Sequence, residues 1–131
     1  MRGKLCDAAF GGPLRANAFA RTAPMLVAVV EEQTSMMLRA GNLLRRLKFY
    51  LIDIGIAAEH FVLQADELGL GTCWLGLFNE RQVKTALGIP RSRKVVALLT
   101  LGYFDEALAK RGHSRKKLEE MSSFNGWENR G

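Results

Sequence analysis

Apolar positions are densest between residues 53 and 78, and this stretch reads in two halves. In the first half Ile54, Ile56, Phe61, Val62, Leu63 and Leu68, with Ile52 just ahead, occupy nearly every face of one long helix. A helix without a broad polar side belongs inside a core or an interface. The small residues Gly55, Ala57, Ala58 and Ala65 let a neighbouring element approach its backbone. Gly69 and Gly71 end it, because glycine takes the left-handed C-cap conformation at least cost. Residues 72–78 then form a β-branched and aromatic run of strand length. The unit is a buried helix, a tight turn and a buried strand.

The flanking patterns are shorter. Residues 3–10 predict a helix with Leu5, Ala8 and Ala9 inward, stopped by Gly11-Gly12-Pro13. Residues 14–24 are small and polar and read as a loop, with Asn17 and Thr22 unexceptional in it. After Pro24, residues 25–30 are continuously apolar, as in a strand buried on both faces. Residues 33–48 have only approximate helical spacing, broken at Gly41-Asn42, and their methionines read as core or interface filler. Asn79 is a good N-cap for a helix over Glu80–Leu87, with Val83 and Leu87 inward and Gly88 past its end. A basic turn at 91–94 leads into a second fully apolar strand, 95–101, closed by Gly102. A short helix is predicted over 116–121, followed by a polar arm with Trp127 isolated. Strands separated by helices imply one sheet in a mixed fold.

A chain of 131 residues fits a single domain, which at this size buries about two-thirds of its unfolded surface. The net charge of +6 favours anionic partners: phosphate-bearing cofactors, acidic proteins or nucleic acid. Cys6 and Cys73 make no disulfide framework and no metal spacing, which points to a reducing, cytoplasmic setting. Met1-Arg2-Gly3-Lys4 resembles the charged start of a signal peptide, but Asp7, Pro13, Arg15 and Asn17 interrupt any apolar segment behind it. No apolar run reaches the roughly 18 residues of a membrane span.

The ordered series Asp53, Gly55, Ala57-Ala58, Ala65, then Leu68-Gly69-Leu70-Gly71-Thr72-Cys73-Trp74-Leu75-Gly76, resembles the centre of the FMN-dependent nitroreductase family. Leu87-Gly88-Ile89-Pro90 and Leu99-Thr100-Leu101-Gly102-Tyr103 continue the resemblance in order and spacing, so that it covers roughly residues 22–122. It implies an α+β fold, a nitroreductase-like sheet flanked by helices, with the long central helix buried at a dimer interface. A helix apolar all round in so short a chain points to a homodimer independently. In the family FMN lies in a groove between subunits. Its ring is contacted partly by the strand after the glycine turn, here Leu75, Gly76 and Leu77. A glycine suits that place because a flat ring can approach a backbone without a side chain, although a strand end or bulge would also explain Gly76. In the basic C-terminal segment Arg115 falls on the family's phosphate-binding arginine, and His113 stands where a lysine or arginine is usual. A guanidinium fork binds two phosphate oxygens at once, whereas a histidine is mostly neutral at pH 7.

Family members also begin with an Arg-Arg-Ser-x-Arg type helix and a Pro-Ser-x-x-Asn segment, and both contribute to FMN binding. This chain starts downstream of them, so a single domain over residues 1–131, incomplete at its N-terminus and with an arm from about 123, is expected. Arg15 and Asn17 lack the matching context and receive no cofactor role from the resemblance.

Other candidate chemistry is thin. Cys73, with no histidine beside it, reads as an inert core thiol. His60 shares a helix face with Asp53 and Gln64, as in a buried polar network at an interface. No nucleophile triad, catalytic carboxylate pair or P-loop is present, and a bound flavin would require none, because it carries the electron transfer itself. The expected function is an NAD(P)H oxidoreductase that uses FMN to reduce nitroaromatic, quinone or similar acceptors. A flavin-free dimeric remnant of the fold is the alternative. Binding to nucleic acid through Arg45-Arg46, 91–94 and 115–117 ranks third, since these clusters lack interleaved aromatics.

Overall fold

The computed structural model describes residues 2–11, 15–32, 48–105 and 115–127. The expected helix at 33–48 lies outside them. In chain order the elements are helix α1 (Arg2–Phe10), a 3₁₀ helix (Arg15–Thr22), strand β1 (Met25–Glu31), helix α2 (Phe49–Glu67), strand β2 (Gly71–Leu75), helix α3 (Glu80–Leu87), strand β3 (Lys94–Gly102) and a single turn, α4 (Leu118–Met121).

Both interior helices end as the glycines predict. Gly69 takes a φ of 71° after α2, and the Leu70 N–H returns to the Ala65 carbonyl at 2.8 Å. In α3 the Asn79 side chain accepts from the Gln82 N–H at 3.1 Å, and Gly88, at φ 67°, lets the Ile89 N–H close on Lys84. These contacts satisfy backbone groups that a helix end leaves open. The segment expected as a loop is instead the 3₁₀ helix, kinked at Asn17 (φ −104°, ψ 23°). Its weak apolar pattern conceals Ala20, which is buried against the core.

The three described strands are antiparallel in the order β1-β3-β2, with β3 in the centre. Met25 pairs with Leu101 and Ala28 with Leu98 on one side, Gly71 with Gly102 and Leu75 with Leu98 on the other. A bulge at Val96 brings Val95 opposite Val30. That skip reverses the alternation of β3, so Val95 shares a face with Leu98. The face is covered by α1, the 3₁₀ helix and α3, through Leu5, Cys6, Ala9, Phe10, Ala20 and Val83. On the opposite face Ala97 and Leu99 are buried, and α2 packs over the flanking strands.

Strand β3 is buried almost throughout, as its composition predicts, while β1 is half-buried over most of its length. Its six apolar residues lie at the sheet margin of the described chain, where less covers them. The apolar run after the turn also pairs for less than its length: β2 stops at Leu75, and 76–79 leave the sheet.

At the other end of β2 a cross-strand glycine pair closes the sheet. A Cβ on Gly102 would come within 2.4 Å of the Pro24 ring, and one on Gly71 within 2.7 Å of the Phe104 ring. Proline cannot swing aside, so Gly102→Ala should cost about 1–3 kcal/mol through overpacking, read as a lower urea midpoint. Gly3→Ala on α1, where a Cβ meets nothing within 4 Å, is the control and should be neutral or stabilising.

Candidate functional site

The segment that carries the expected ring contacts runs from the end of β2 to the start of α3. Leu75 is 1% exposed, so its side chain belongs to the core and only its backbone is available. Gly76 and Leu77 are exposed, and Phe78 turns back onto the core. A Cβ built on Gly76 would meet nothing within 4 Å, and its φ is not positive. Neither packing nor backbone conformation within the described chain therefore requires a glycine there. Among the described residues, no hydrogen bond outside the strand ladder engages the N–H of Gly76, Leu77 or Phe78. Within the described residues, this stretch of backbone has N–H groups with no acceptor outside the ladder.

This stretch is nonetheless held in place. The Asn79 N–H donates to the Ala9 carbonyl at 3.0 Å, and the Asn17 side-chain amide donates to the Leu77 carbonyl at 2.8 Å. Sixty residues separate Asn17 from Leu77 in sequence. The sequence reading left Asn17 without a role. Its one available signal was a polar amide in an otherwise small, plain segment.

Arg115 is exposed and makes no ion pair with a described residue. His113 lies outside the described residues. His60, Asp53 and Gln64 are all exposed on α2 and form no buried network in the single chain. Cys73 is partly buried beside the core, and both cysteines are free thiols. Part of the basic charge is consumed internally: Arg93 pairs with Glu32 at 3.3 Å and Lys84 with Glu80 at 2.7 Å.

Two further acid groups of the fold have shifted pKa values. Tyr50, on the first turn of α2, has its pKa raised by burial first, then by the charge of the buried Glu31 carboxylate to which its hydroxyl donates. Glu80 has its pKa lowered, chiefly by the hydrogen bond from Lys84, with help from the Val95 N–H at 3.0 Å and from the Lys84 and Lys94 charges.

Two depressions lie elsewhere on the described chain, and neither is lined by Leu75, Gly76 or Leu77. A groove of about 780 Å³ sits at the opposite end of β2, between Phe19, Pro24, Val62, Leu70, Phe104 and Asp66. A smaller one of about 580 Å³ runs beside α3, with Arg81, Lys84 and Arg91 among its lining residues. The candidate site is an open backbone ledge.

An antiparallel sheet between helical layers, with the long helix followed by a glycine turn and an exposed strand end, defines a nitroreductase-type fold. The nitroreductase family model matches residues 8–103, and the chain belongs to that family. It is 34% identical over 85 residues to the chloronitrobenzene nitroreductase of Comamonas testosteroni, a match that covers 61% of this chain and 37% of that protein. Among solved structures, a nitroreductase family protein from Clostridium novyi NT aligns over 98% of this chain and 66% of its own at 30% identity, with a TM-score of 0.61. An FMN-dependent nitroreductase from Clostridium difficile R20291 aligns over 95% and 68% at 20% identity, with a TM-score of 0.65. Nitroreductase A of Vibrio parahaemolyticus aligns over 97% and 53% at 20% identity, with a TM-score of 0.69. The last two show likeness of fold alone. This chain spans little more than a third of the curated relative and about two-thirds of the first two structures. No helix among the described residues is long and apolar enough to cross a membrane.

The Glu80 contacts fix a direction of pH dependence. A carboxyl whose folded pKa is depressed contributes stability above its ordinary value of 4.5 and loses it as the pH falls through the lowered one. Glu80→Gln should therefore lower stability at pH 7 and make the acid side of the pH–stability curve shallower, with little difference from the parent once both are fully protonated. Denaturant midpoints measured from pH 7 down to pH 3 check this.

Proposed function

We propose that the protein is an FMN-dependent NAD(P)H oxidoreductase of the nitroreductase type. The observation that carries this is the open backbone at Gly76: a glycine that the described fold does not require, with unspent N–H donors around it, on a chain of this family. A missing side chain is what a flat ring needs to reach a backbone, and unpaired N–H groups are what its carbonyl oxygens and ring nitrogens would accept from. Leu75, Gly76 and Leu77 would supply that contact. Arg115, which is exposed, and His113 would hold the phosphate, the arginine bidentately. The chemistry supplied by FMN when bound is hydride uptake from NAD(P)H and electron delivery to a nitroaromatic, quinone or similar acceptor. The chain's own residues then bind and orient; no catalytic acid or base is invoked.

The reading includes a second copy. Phe49, Ile52, Ile56 and Leu63 recur at helical spacing along α2 and are exposed, whereas only Ala58 and Ala65 of that helix are buried. An apolar stripe of this length on a soluble face supports a homodimer packed through α2. The free thiols support a reducing, cytoplasmic setting.

The test is the visible spectrum of protein mixed with FMN and desalted. A retained flavin band supports the reading; a bare protein spectrum from a folded dimer favours the flavin-free remnant. If FMN is retained, Gly76→Val should leave the melting temperature unchanged while abolishing retention, since the new side chain meets open space in the protein and the ring in the complex. Arg115→Ala should raise the dissociation constant about tenfold or more, as loss of a charge-assisted contact does. Sedimentation checks the dimer: Ile56→Asp should shift the protein to monomer without unfolding it.

A further inference from the structure

We infer that Asn17 is a positioning residue for the flavin-facing backbone, an inference that rests on the FMN reading above. Three observations converge on it. First, the Asn17 amide donates to the Leu77 carbonyl at 2.8 Å, and since a carbonyl only accepts, the group facing it is the NH₂. Second, the 3₁₀ helix is kinked at Asn17 itself (φ −104°, ψ 23°), so the irregularity of that segment falls at the residue that reaches across. Third, the peptide it grips joins two residues whose N–H groups find no acceptor outside the strand ladder among the described residues.

The consequence follows from peptide geometry. No peptide in the described chain is cis, and in a trans peptide the C=O and the N–H point in opposite directions. By drawing the Leu77 carbonyl toward the 3₁₀ helix, Asn17 turns the Phe78 N–H away from it. Two residues on, the Asn79 N–H is fixed to Ala9, and the Phe78 side chain is packed on the core. The segment is thus anchored at 77, 78 and 79, and Gly76 is the unanchored step between these anchors and the end of β2. Without the Asn17 amide the 77–78 peptide is free to rotate. The donors would then have to be ordered each time a ligand binds, at a cost in affinity. A purely structural amide would stabilise the fold; a positioning amide sets the orientation of donors that the fold itself does not use.

The experiment uses the full chain and two substitutions: Asn17→Asp, which keeps the shape but removes the donor, and Asn17→Ala, which removes the group without adding charge. Two quantities are read: backbone amide order parameters at Leu77 and Phe78 in flavin-free protein, and the FMN dissociation constant with the position of the bound flavin's visible band. The expected result is order parameters at these two amides falling below about 0.6 with those in β3 unchanged, FMN binding weaker by about tenfold, and a displaced flavin band. Asn17→Gln, which retains an amide, should recover part of both. Unchanged order at 77 and 78 overturns the inference, as does reduced order with FMN affinity and band both unaltered. If the parent protein binds no FMN, the functional reading falls and takes the flavin role of Asn17 with it, while the order parameters still decide whether Asn17 holds this backbone. Should Asn17→Asp not fold, Asn17→Ala and Asn17→Gln give the same comparison.

Discussion

The central position of β3 is the constraint on which the rest depends. It is hydrogen-bonded along both edges, to β1 and to β2, and buried on both faces. A strand in that position needs apolar residues at every step and cannot tolerate a slip in register, because a shift of one residue would exchange its two faces. The bulge at Val96 is the one place where the alternation is reset, and it serves to send Val95 toward α1 and α3 with Leu98. The helical layers then follow from which face each must cover.

From this arrangement comes an asymmetry between the two ends of β2. At the Gly71–Gly102 end the glycines are consumed by the fold itself, with Pro24 and Phe104 occupying the space their side chains would take. At the Leu75 end the chain leaves the sheet, and Gly76 gives up its side chain for nothing within the described protein. The same residue type thus has opposite meanings at the two ends. The second leaves open space beside the backbone, which is the basis of the flavin contact proposed above. Neither groove is lined by this segment.

The long helix illustrates how family, sequence and packing bear on different scales. The single chain buries only two alanines of it, Ala58 and Ala65, while Ile54, Phe61 and Val62 are half-buried and Ile52, Ile56 and Leu63 are exposed. Large apolar side chains left exposed beside buried alanines reverse the usual sorting of a core, and the proposed pairing of two copies rests on that reversal.

Local chemistry fixed much of this in the sequence. The capping of α3 by Asn79 and Gly88, the end of α2 at Gly69 and the near-complete burial of β3 follow from side-chain hydrogen bonding, glycine's access to positive φ and unbroken apolar composition, and the chain alone carries all three. The nitroreductase relationship was legible for a similar reason: an ordered set of small and apolar residues is read without coordinates. The tertiary structure decided what depends on distant partners. Pattern gave no cue that β2 would stop at Leu75, that the 14–24 segment would form a 3₁₀ helix, or that β1 would be covered less than β3. Nor could it place Asn17, whose contact with Leu77 spans 60 residues and involves a polar side chain that fits a loop equally well. Periodicity reports which face a residue turns inward; it says nothing of which carbonyl a lone amide will find, because that is set by how separate elements come to rest against one another.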